Sequence, residues 1–150
     1  MTTIAYRDGM LACDSGMTCD HIRVGKTEKA WEYKGFIITG CGYAADLYAF
    51  RDWFVRGMKG DCPEPREDGT LVIITPDRSV LIREPAGWIR GRSSFYAWGS
   101  GFSLAIGAMA AGASAVRAVE IACEHDCYSQ GPVMRFIQDD LRASNLSKIA

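Results

Sequence analysis

The amino-acid sequence predicts a single α+β domain in which antiparallel strands and helices occupy separate stretches of the chain. Apolar runs come in pairs joined by short turn sequences, which is the pattern of β-hairpins. Helical periodicity occurs in separate blocks, one near the middle of the chain and one towards its end. Strands and helices do not alternate one by one, as they would in a parallel sheet. A chain of 150 residues is long enough for one hydrophobic core, so we expect residues 1–150 to form one domain.

Hairpins account for most of the predicted strands. Asp8 and Gly9 form a turn signal between the first two apolar runs, and the first predicted strand begins at Thr2. Two later pairs of apolar runs have the same form. The predicted hairpins join residues 2–6 to 10–13, 28–33 to 36–41, and 70–75 to 79–83, and single strands are predicted at 92–98 and 133–137.

The first predicted helix spans residues 44–58. Its apolar residues recur at helical spacing, and Asp46 in its first turn suits the positive end of the helix dipole. Two further helices are predicted at 102–111 and 114–128, and the polar tail from Gln138 is expected to fray. The predicted buried stripe of the first helix comprises Leu47, Phe50, Phe54 and Met58, and that of the last helix comprises Val116, Val119 and Cys123.

Composition excludes several functional classes. The formal net charge is -1, so there is no electrostatic basis for binding nucleic acid or an anionic membrane surface. The longest apolar stretch, residues 102–111, is too short and too interrupted by glycine to span a bilayer. No basic segment followed by an apolar run opens the chain, as a secretory signal would require. We therefore expect a soluble, cytoplasmic protein.

The cysteines and histidines do not form a recognisable catalytic or metal-binding pattern. The 6 cysteines are scattered without a CxxC pair, which favours reduced thiols over a zinc site. Cys123 and Cys127 are four residues apart in a predicted helix, where core packing explains them better than metal binding. We expect His21 and His125 to be structural, because no G-x-S-x-G motif offers them a serine nucleophile. No metal or other cofactor is expected.

Thr2 carries the strongest chemical signal, because it becomes the amino terminus once Met1 is removed. Its hydroxyl and its free α-amine would then belong to one residue, and the amine could take the proton of the hydroxyl. The ordinary pKa of such an amine is about 7.7–8.0, which suits a general base near neutral pH. If Met1 remains, Thr2 has no free amine. Many inert proteins also begin with Met-Thr, so the interpretation depends on other residues.

Five short motifs follow Thr2 in an order that resembles proteasome β-subunits, with the bacterial HslV peptidase as the most similar branch. The resemblance extends from Thr2 to about Val133 and includes the helical run 107–121, so it covers most of the chain. The motifs are Ala12-Cys13-Asp14-Ser15, Lys29-Ala30-Trp31, Thr39-Gly40-Cys41-Gly42, Trp98-Gly99-Ser100-Gly101 and Asp126-Cys127-Tyr128-Ser129-Gln130-Gly131.

The resemblance implies a four-layer αββα sandwich of antiparallel sheets with Thr2 as a catalytic nucleophile. It implies that Asp14 and Lys29 form a buried pair beside Thr2, in which the ammonium stabilises the threonine alkoxide and the aspartate keeps the lysine charged. Lys26 stays open as an alternative to Lys29, because the register there needs a short gap. The other implied site residues are Gly40, with an N–H in the oxyanion hole and no side chain to obstruct substrate, and Ser100, Asp126 and Ser129, which would hydrogen-bond the terminal amine.

One outer helix of the family has no counterpart in the sequence. After the predicted helix at 44–58, a loop over residues 59–70 leads directly to the next strand, where the family has a second long helix. That layer builds subunit contacts in the family's rings, so the missing helix leaves ring formation open. A milder departure is Gln130-Gly131, where the family has Gly-Gly or Gly-Asn.

The function implied by the resemblance is threonine-type hydrolysis of peptides or unfolded proteins by a homo-oligomeric ring. An ATP-dependent unfoldase would be the partner, since the chain has no Walker motif of its own. Two alternatives remain open: an amidase for small molecules on the same fold, and a non-catalytic assembly protein that has kept the fold. Neither nucleic acid nor a membrane is an expected partner.

Overall fold

The computed structural model describes residues 1–139, which form a layered arrangement of strands and helices. The strands are β1 (Thr3–Arg7), β2 (Met10–Cys13), β3 (Gly16–Cys19), β4 (Ile22–Lys26), β5 (Ala30–Tyr33), β6 (Phe36–Cys41), β7 (Thr70–Ile74), β8 (Val80–Glu84), β9 (Gly87–Arg90), β10 (Phe95–Gly99) and β11 (Met134–Ile137). The helices are α1 (Ala44–Val55), α2 (Phe102–Ala110) and α3 (Ala115–His125).

Two antiparallel sheets face each other at the centre of the domain. One has the strand order β10-β1-β2-β11 and the other has the order β5-β6-β7-β8-β9, while β3 and β4 form a separate hairpin. Large apolar side chains fill the space between the sheets, so both sheets bury one face in the same core. The central core includes Ile4, Leu11, Ile37, Val72 and Ile74.

Helices cover the outer faces of both sheets. Helices α2 and α3 pack on the four-stranded sheet, where Met109 and Val119 share a cluster with Ala5 of β1. Helix α1 packs on the five-stranded sheet, where Phe50 shares a cluster with Leu71 of β7. The layers therefore follow the order α, β, β, α, with one helix in one outer layer, and the predicted fold class is confirmed. None of the helices described for residues 1–139 is long and apolar enough to cross a membrane.

Alternation along β1 and β2 explains why this hairpin lies at the centre of the domain. Ile4 and Leu11 belong to the core between the sheets, whereas Ala5 and Ala12 face α2 and α3. Ala5 pairs with Ala12 across the ladder, and two small side chains allow the helices to approach the sheet closely. The start of β1 is thereby held from both faces, which fixes the position of Thr2 directly before it.

Two predicted helix ends are wrong. Helix α1 ends before Gly57 because Gly57 and Met58 have φ values of 84° and 58°, which a right-handed helix cannot include. Met58 is consequently exposed and does not belong to the buried stripe. Helix α3 ends at His125, so Cys127 lies exposed beyond the helix and does not share a helical face with Cys123.

Three strands were not predicted. The hairpin of β3 and β4 has little apolar alternation, and every residue of β4 is exposed, so no buried face marks its sequence. Strand β9 pairs only with β8 at the sheet edge and is largely exposed. Exposed edge strands lack the periodic signal on which prediction from sequence depends.

The prediction of a frayed tail is wrong at its first residue. Gln138 is buried, and its backbone N–H donates to the carbonyl oxygen of Gly9 at 2.8 Å. Its side-chain oxygen accepts from the Tyr6 hydroxyl at 2.7 Å. Strand β11 directs this polar side chain to partners that no local sequence pattern reveals. Residues 140–150 of the predicted tail lie outside the described residues.

Candidate active site

Thr2 lies immediately before β1, where the ends of several strands meet. Its neighbour Thr3 pairs with Gly99 at the end of β10, and β6 lies close to both strands. Thr2 is only 6% exposed and lines a cavity of about 510 Å³. Cavities of roughly 300–1,000 Å³ are the usual size of small-ligand sites. The residue that could become the amino terminus therefore borders a space large enough for part of a substrate.

A buried ion pair lies beside the peptide bond that precedes Thr2. The Nζ atom of Lys29 is 2.9 Å from Oδ1 of Asp14 and donates to the carbonyl oxygen of Met1, also at 2.9 Å. The Asp14 side chain is 0% exposed and that of Lys29 is 4% exposed. Asp14 directly follows β2 and Lys29 directly precedes β5, so each sheet contributes one charge. Lys26, the alternative lysine, is exposed at the end of β4.

Backbone donors complete the surroundings of the Asp14 carboxylate. The N–H of Thr3 donates to Oδ1 at 2.9 Å, and the N–H groups of Gln130 and Gly16 donate to Oδ2 at 3.1 and 3.2 Å. Together with Lys29, these donors compensate a negative charge that has lost all contact with water. Asp14 therefore ties the start of β1 to the segment that carries the second polar group of the site.

That second group consists of Ser100, Asp126 and Ser129. Both serine hydroxyls donate to Oδ2 of Asp126, at 2.8 Å from Ser100 and 2.6 Å from Ser129. The N–H of Ser100 donates to the carbonyl oxygen of Thr2 at 2.7 Å. The predicted members of this group are thus brought together. With Met1 in place, Ser100 is the member that contacts the Thr2 carbonyl oxygen, and the terminal amine donates to Thr18 instead of to this group.

Thr3 connects the two polar groups and is a site residue that we did not predict. Its Oγ1 is 2.6 Å from Oγ of Ser129. Because the Ser129 hydroxyl donates to the carboxylate of Asp126, the Thr3 hydroxyl must be the donor to Ser129. Its backbone N–H donates to Asp14, and the residue is fully buried. The signal available in the sequence was a polar residue, Thr3, within the first predicted strand.

The glycines on either side of Ser100 are required by close approach to the start of β1. Gly99 has a φ of 98°, and a Cβ there would overlap the carbonyl group of Thr2. A Cβ on Gly101 would overlap the side chain of Thr3. The Gly-Ser-Gly sequence therefore has a steric cause in addition to the polar contacts of its serine.

Gly40 lines the cavity, but the reason for a glycine differs from the predicted one. It lies inside the ladder of β6, paired with Leu71, and a Cβ there would come within 2.5 Å of the Thr70 carbonyl oxygen. The missing side chain therefore makes room for β7 and α1 rather than for substrate. Gly42 follows β6, lines the same cavity and has a φ of 113°. Both glycines place backbone at the cavity wall.

Met1 occupies the position next to the ion pair. Its amine donates to Oγ1 of Thr18 at 2.9 Å, and Thr18 also lines the cavity. Burial, and secondarily the positive charge of Lys29, lowers the pKa of this amine from its ordinary value of 8.0. This shift makes the neutral form of the Met1 amine, which is the form that can accept a proton, easier to reach than in the unfolded chain.

The cysteines and histidines near the site do not compete for the role of nucleophile. Burial raises the pKa of Cys13 to about 12 and also raises the pKa of Cys41, so both thiols stay protonated at neutral pH. His21 lines the cavity, where its Nδ1 lies 2.6 Å from the Tyr128 hydroxyl. His125 is exposed at the end of α3. Within residues 1–139, no group of three or more metal-binding side chains is positioned to hold a metal ion.

Comparison with known proteins gives a structural likeness only. Neither a protein-family model nor a curated protein matches the chain. The structure of Thiobacillus denitrificans BPH in complex with epoxomicin is similar, with a TM-score of 0.67 and 22% sequence identity over 93% of this chain and 99% of that one. A second structure of Thiobacillus denitrificans BPH gives a TM-score of 0.68 and 22% identity over 92% of this chain and 97% of that one. At this identity the likeness establishes the fold.

Proposed function

We propose that the protein is a threonine-type peptidase that uses Thr2 as its nucleophile after removal of Met1. The observation that carries this proposal is the buried pair of Lys29 and Asp14, whose ammonium reaches the peptide bond preceding Thr2. A lysine is costly to bury, and this lysine lies next to Thr2, which supplies both a hydroxyl and an amine once Met1 is removed. The cavity next to Thr2 offers the space for a substrate.

The first half of the reaction is acyl transfer to Thr2. The α-amine of Thr2 takes the hydroxyl proton while Oγ1 bonds to the carbonyl carbon of the substrate, and Lys29 stabilises the negative charge on Oγ1. Backbone N–H groups at the cavity wall near Gly40 and Gly42 would bind the tetrahedral oxyanion. The carbon–nitrogen bond then breaks, and the amine proton passes to the leaving nitrogen. The product is an ester on Thr2.

The second half is hydrolysis of that ester. The same amine takes a proton from a water molecule, the resulting hydroxide bonds to the ester carbon, and the bond to Oγ1 breaks with return of the proton to the threonine oxygen. Ser100 and Ser129 hold the carboxylate of Asp126 and contact Thr2 and Thr3, so this group would orient the start of β1 and the amine of Thr2.

Covalent labelling tests the nucleophile directly. Epoxomicin is the probe of choice, since an epoxyketone needs both a hydroxyl and an amine on one residue, and the similar Thiobacillus denitrificans BPH structure contains it. We expect mass spectrometry of the N-terminal peptide to find the adduct on Thr2 in chains that lack Met1. A Thr2→Ser variant should still be labelled, and Thr2→Ala should not. Labelling elsewhere, or none in chains shown by intact mass to lack Met1, would refute the proposal.

Substrate profiling separates peptidase activity from amidase activity. We expect hydrolysis of fluorogenic peptides that are blocked at their N-terminus. Turnover of small amides without turnover of these peptides would favour the small-molecule amidase. If Thr2→Ala leaves the biological role unchanged, the chain is instead a non-catalytic assembly protein.

The proposal includes a homo-oligomeric, cytoplasmic form resembling the HslV branch, with an ATP-dependent unfoldase as partner. Apolar side chains on the exposed hairpin of β3 and β4 support self-association: Ile22 is 66% exposed and Val24 is 52% exposed. Native mass spectrometry should find a closed oligomer. A monomer at micromolar concentration would contradict this part of the proposal and leave the chemistry of Thr2 unaffected.

A further inference from the structure

The cavity beside Thr2 has a strongly uneven distribution of charge. Four acidic side chains line it: Asp20 at the turn between β3 and β4, Glu28 next to Lys29, and Glu67 and Asp68 before β7. The basic groups in the lining are Lys29, His21 and the amine of Met1. Lys29 is matched by Asp14 at 2.9 Å, His21 lies 2.6 Å from the Tyr128 hydroxyl, and the Met1 amine donates to Thr18. Among residues 1–139, none of these groups forms an ion pair with the four carboxylates, which outnumber them.

Neighbouring cations do not cancel this negative potential. The Arg66 guanidinium, in the same loop as Glu67, lies 3.4 Å from the carboxylate of Asp46 and 4.4 Å above the ring of Tyr43. Arg23 and Lys26 are on β4 and do not line the cavity. A substrate side chain that enters the cavity therefore meets an excess of carboxylates.

The shape of the cavity suits a long side chain. Small residues form part of its wall, namely Gly16, Gly40, Gly42 and Ala44. The carboxylates come from three separate segments of the chain, and none of them forms part of a metal-binding group within residues 1–139. Exposed carboxylates that are spread around a cavity favour a flexible organic cation over a compact metal ion.

We propose that this cavity selects substrates with a lysine or arginine side chain at the residue whose carbonyl is attacked. The proposal deepens, and rests on, the assignment of Thr2 as nucleophile. The attacked carbonyl must lie at Thr2, so the side chain of the same residue is the one nearest to the cavity. The aliphatic stem of lysine or arginine packs along the small residues, and its charged end reaches the carboxylates.

Arginine and citrulline peptides form the decisive pair of probes, because their side chains have nearly the same shape and differ in charge. In a Thr2→Ala chain lacking Met1, calorimetry should find the arginine peptide bound about tenfold more tightly than its citrulline counterpart. Each exposed ion pair contributes a factor of roughly 1.5 to 5, so several pairs together give this ratio. The ratio should shrink as salt is raised from about 0.05 to 0.5 M, because exposed charges are screened.

Variants assign the preference to named carboxylates. Glu67→Gln combined with Asp68→Asn should lower the arginine-to-citrulline ratio severalfold, and Asp20→Asn should lower it further. Asparagine tolerates the positive φ of 64° at Asp68 and 46° at Asp20, so these changes preserve the backbone. Glu64→Gln is the matched control, since Glu64 is exposed in the same loop and does not line the cavity.

The outcomes separate this proposal from the proposed function. Equal binding of the two peptides, no measurable binding of either at millimolar concentration, or a ratio unchanged in the acidic variants overturns the preference for basic side chains. None of these results affects epoxomicin labelling of Thr2. Absence of labelling together with a tenfold preference for the arginine peptide would leave a cation-selective binding cavity and remove the peptidase.

Discussion

The two aspartates that flank Thr2 have the same chemistry and very different surroundings. Asp14 is fully buried and accepts from Lys29 and from three backbone N–H groups. Asp126 is half-buried, and its Oδ2 accepts from the hydroxyls of Ser100 and Ser129. Burial makes the first carboxylate part of the framework of the fold. The second keeps hydroxyl partners and access to water, so it can adjust to a change of charge at the terminus.

The largest loss of stability is expected from a change to the buried pair of Asp14 and Lys29. Replacing Lys29 with methionine removes the counter-charge of Asp14 and leaves a carboxylate uncompensated in the core. Breaking a buried pair in this way costs about 3–5 kcal/mol of the free energy of unfolding. Denaturant unfolding measures this loss, and epoxomicin labelling of Thr2 should disappear at the same time.

Lys26→Met is the matched control for Lys29→Met. Lys26 is exposed at the end of β4, so its replacement should change the free energy of unfolding by less than about 0.5 kcal/mol. Equal losses in the two variants would show that the ion pair with Asp14 is not the source of the effect.

A change at the half-buried Asp126 should have a smaller effect on stability and a clear effect on the rate of Thr2 labelling. Asp126→Asn keeps an oxygen acceptor for the two serines and removes the negative charge near the terminal amine. We expect the free energy of unfolding to fall by about 1 kcal/mol and the rate of Thr2 labelling to fall by roughly tenfold or more. The pH at which the labelling rate is half-maximal should also shift. If Asp126 had a structural role alone, its replacement would lower the rate without moving this midpoint.

Asp52→Asn is the control for the change at Asp126. Asp52 forms an ion pair with Arg51 that is partly exposed, and it does not line the cavity beside Thr2. Its replacement should leave the labelling rate unchanged. If Asp126→Asn instead unfolds the chain as severely as Lys29→Met, the contrast between the two aspartates is wrong.

Thr3 links the two aspartates, because it bonds to Asp14 and to the partner of Asp126. Thr3→Val preserves shape and removes the hydroxyl that donates to Ser129, at an expected cost of about 1–2 kcal/mol. The backbone bond to Asp14 remains, so the loss reports the link to the Asp126 side alone. Thr3→Ser restores the hydroxyl and should recover most of the labelling rate, even though it loses a methyl group. Failure of serine to recover that rate would contradict the hydrogen-bonded role.

Local sequence patterns predicted much of the fold, whereas the members of the site were predicted from resemblance to a known family. The strands with a buried face, such as β1, β2 and β6, follow from apolar runs and turn residues, whereas the exposed β3 and β4 do not. The pairing of Asp14 with Lys29 spans 15 residues and depends on how two sheets stack. No local pattern specifies that geometry, so resemblance to a known family supplied it.

The links between residues were harder to predict than the residues themselves. Ser129 and Thr3 are 126 positions apart and meet only because β1 and the segment after α3 close on each other. The need for glycine at Gly40 comes from Thr70 and α1, which the sequence does not place next to it. Contacts of this kind follow from packing, which a periodic pattern constrains only through the face that each strand buries.

The smallest expected effect concerns the amine itself in chains that retain Met1. Its pKa lies below the ordinary 8.0 in the folded chain, chiefly because of burial. Between the folded value and 8.0, the unfolded chain therefore binds more protons, and the free energy of unfolding should rise as pH increases through this interval. Above about pH 9 the trend should reverse, because burial raises the pKa values of Cys13 and Cys123 to about 12 and about 11 from an ordinary 9.0. Denaturant unfolding between pH 6 and 8 measures the rise, and a chain acetylated at Met1 is the control because it has no amine to titrate. An equal rise in the acetylated chain would assign the effect to a group other than the Met1 amine.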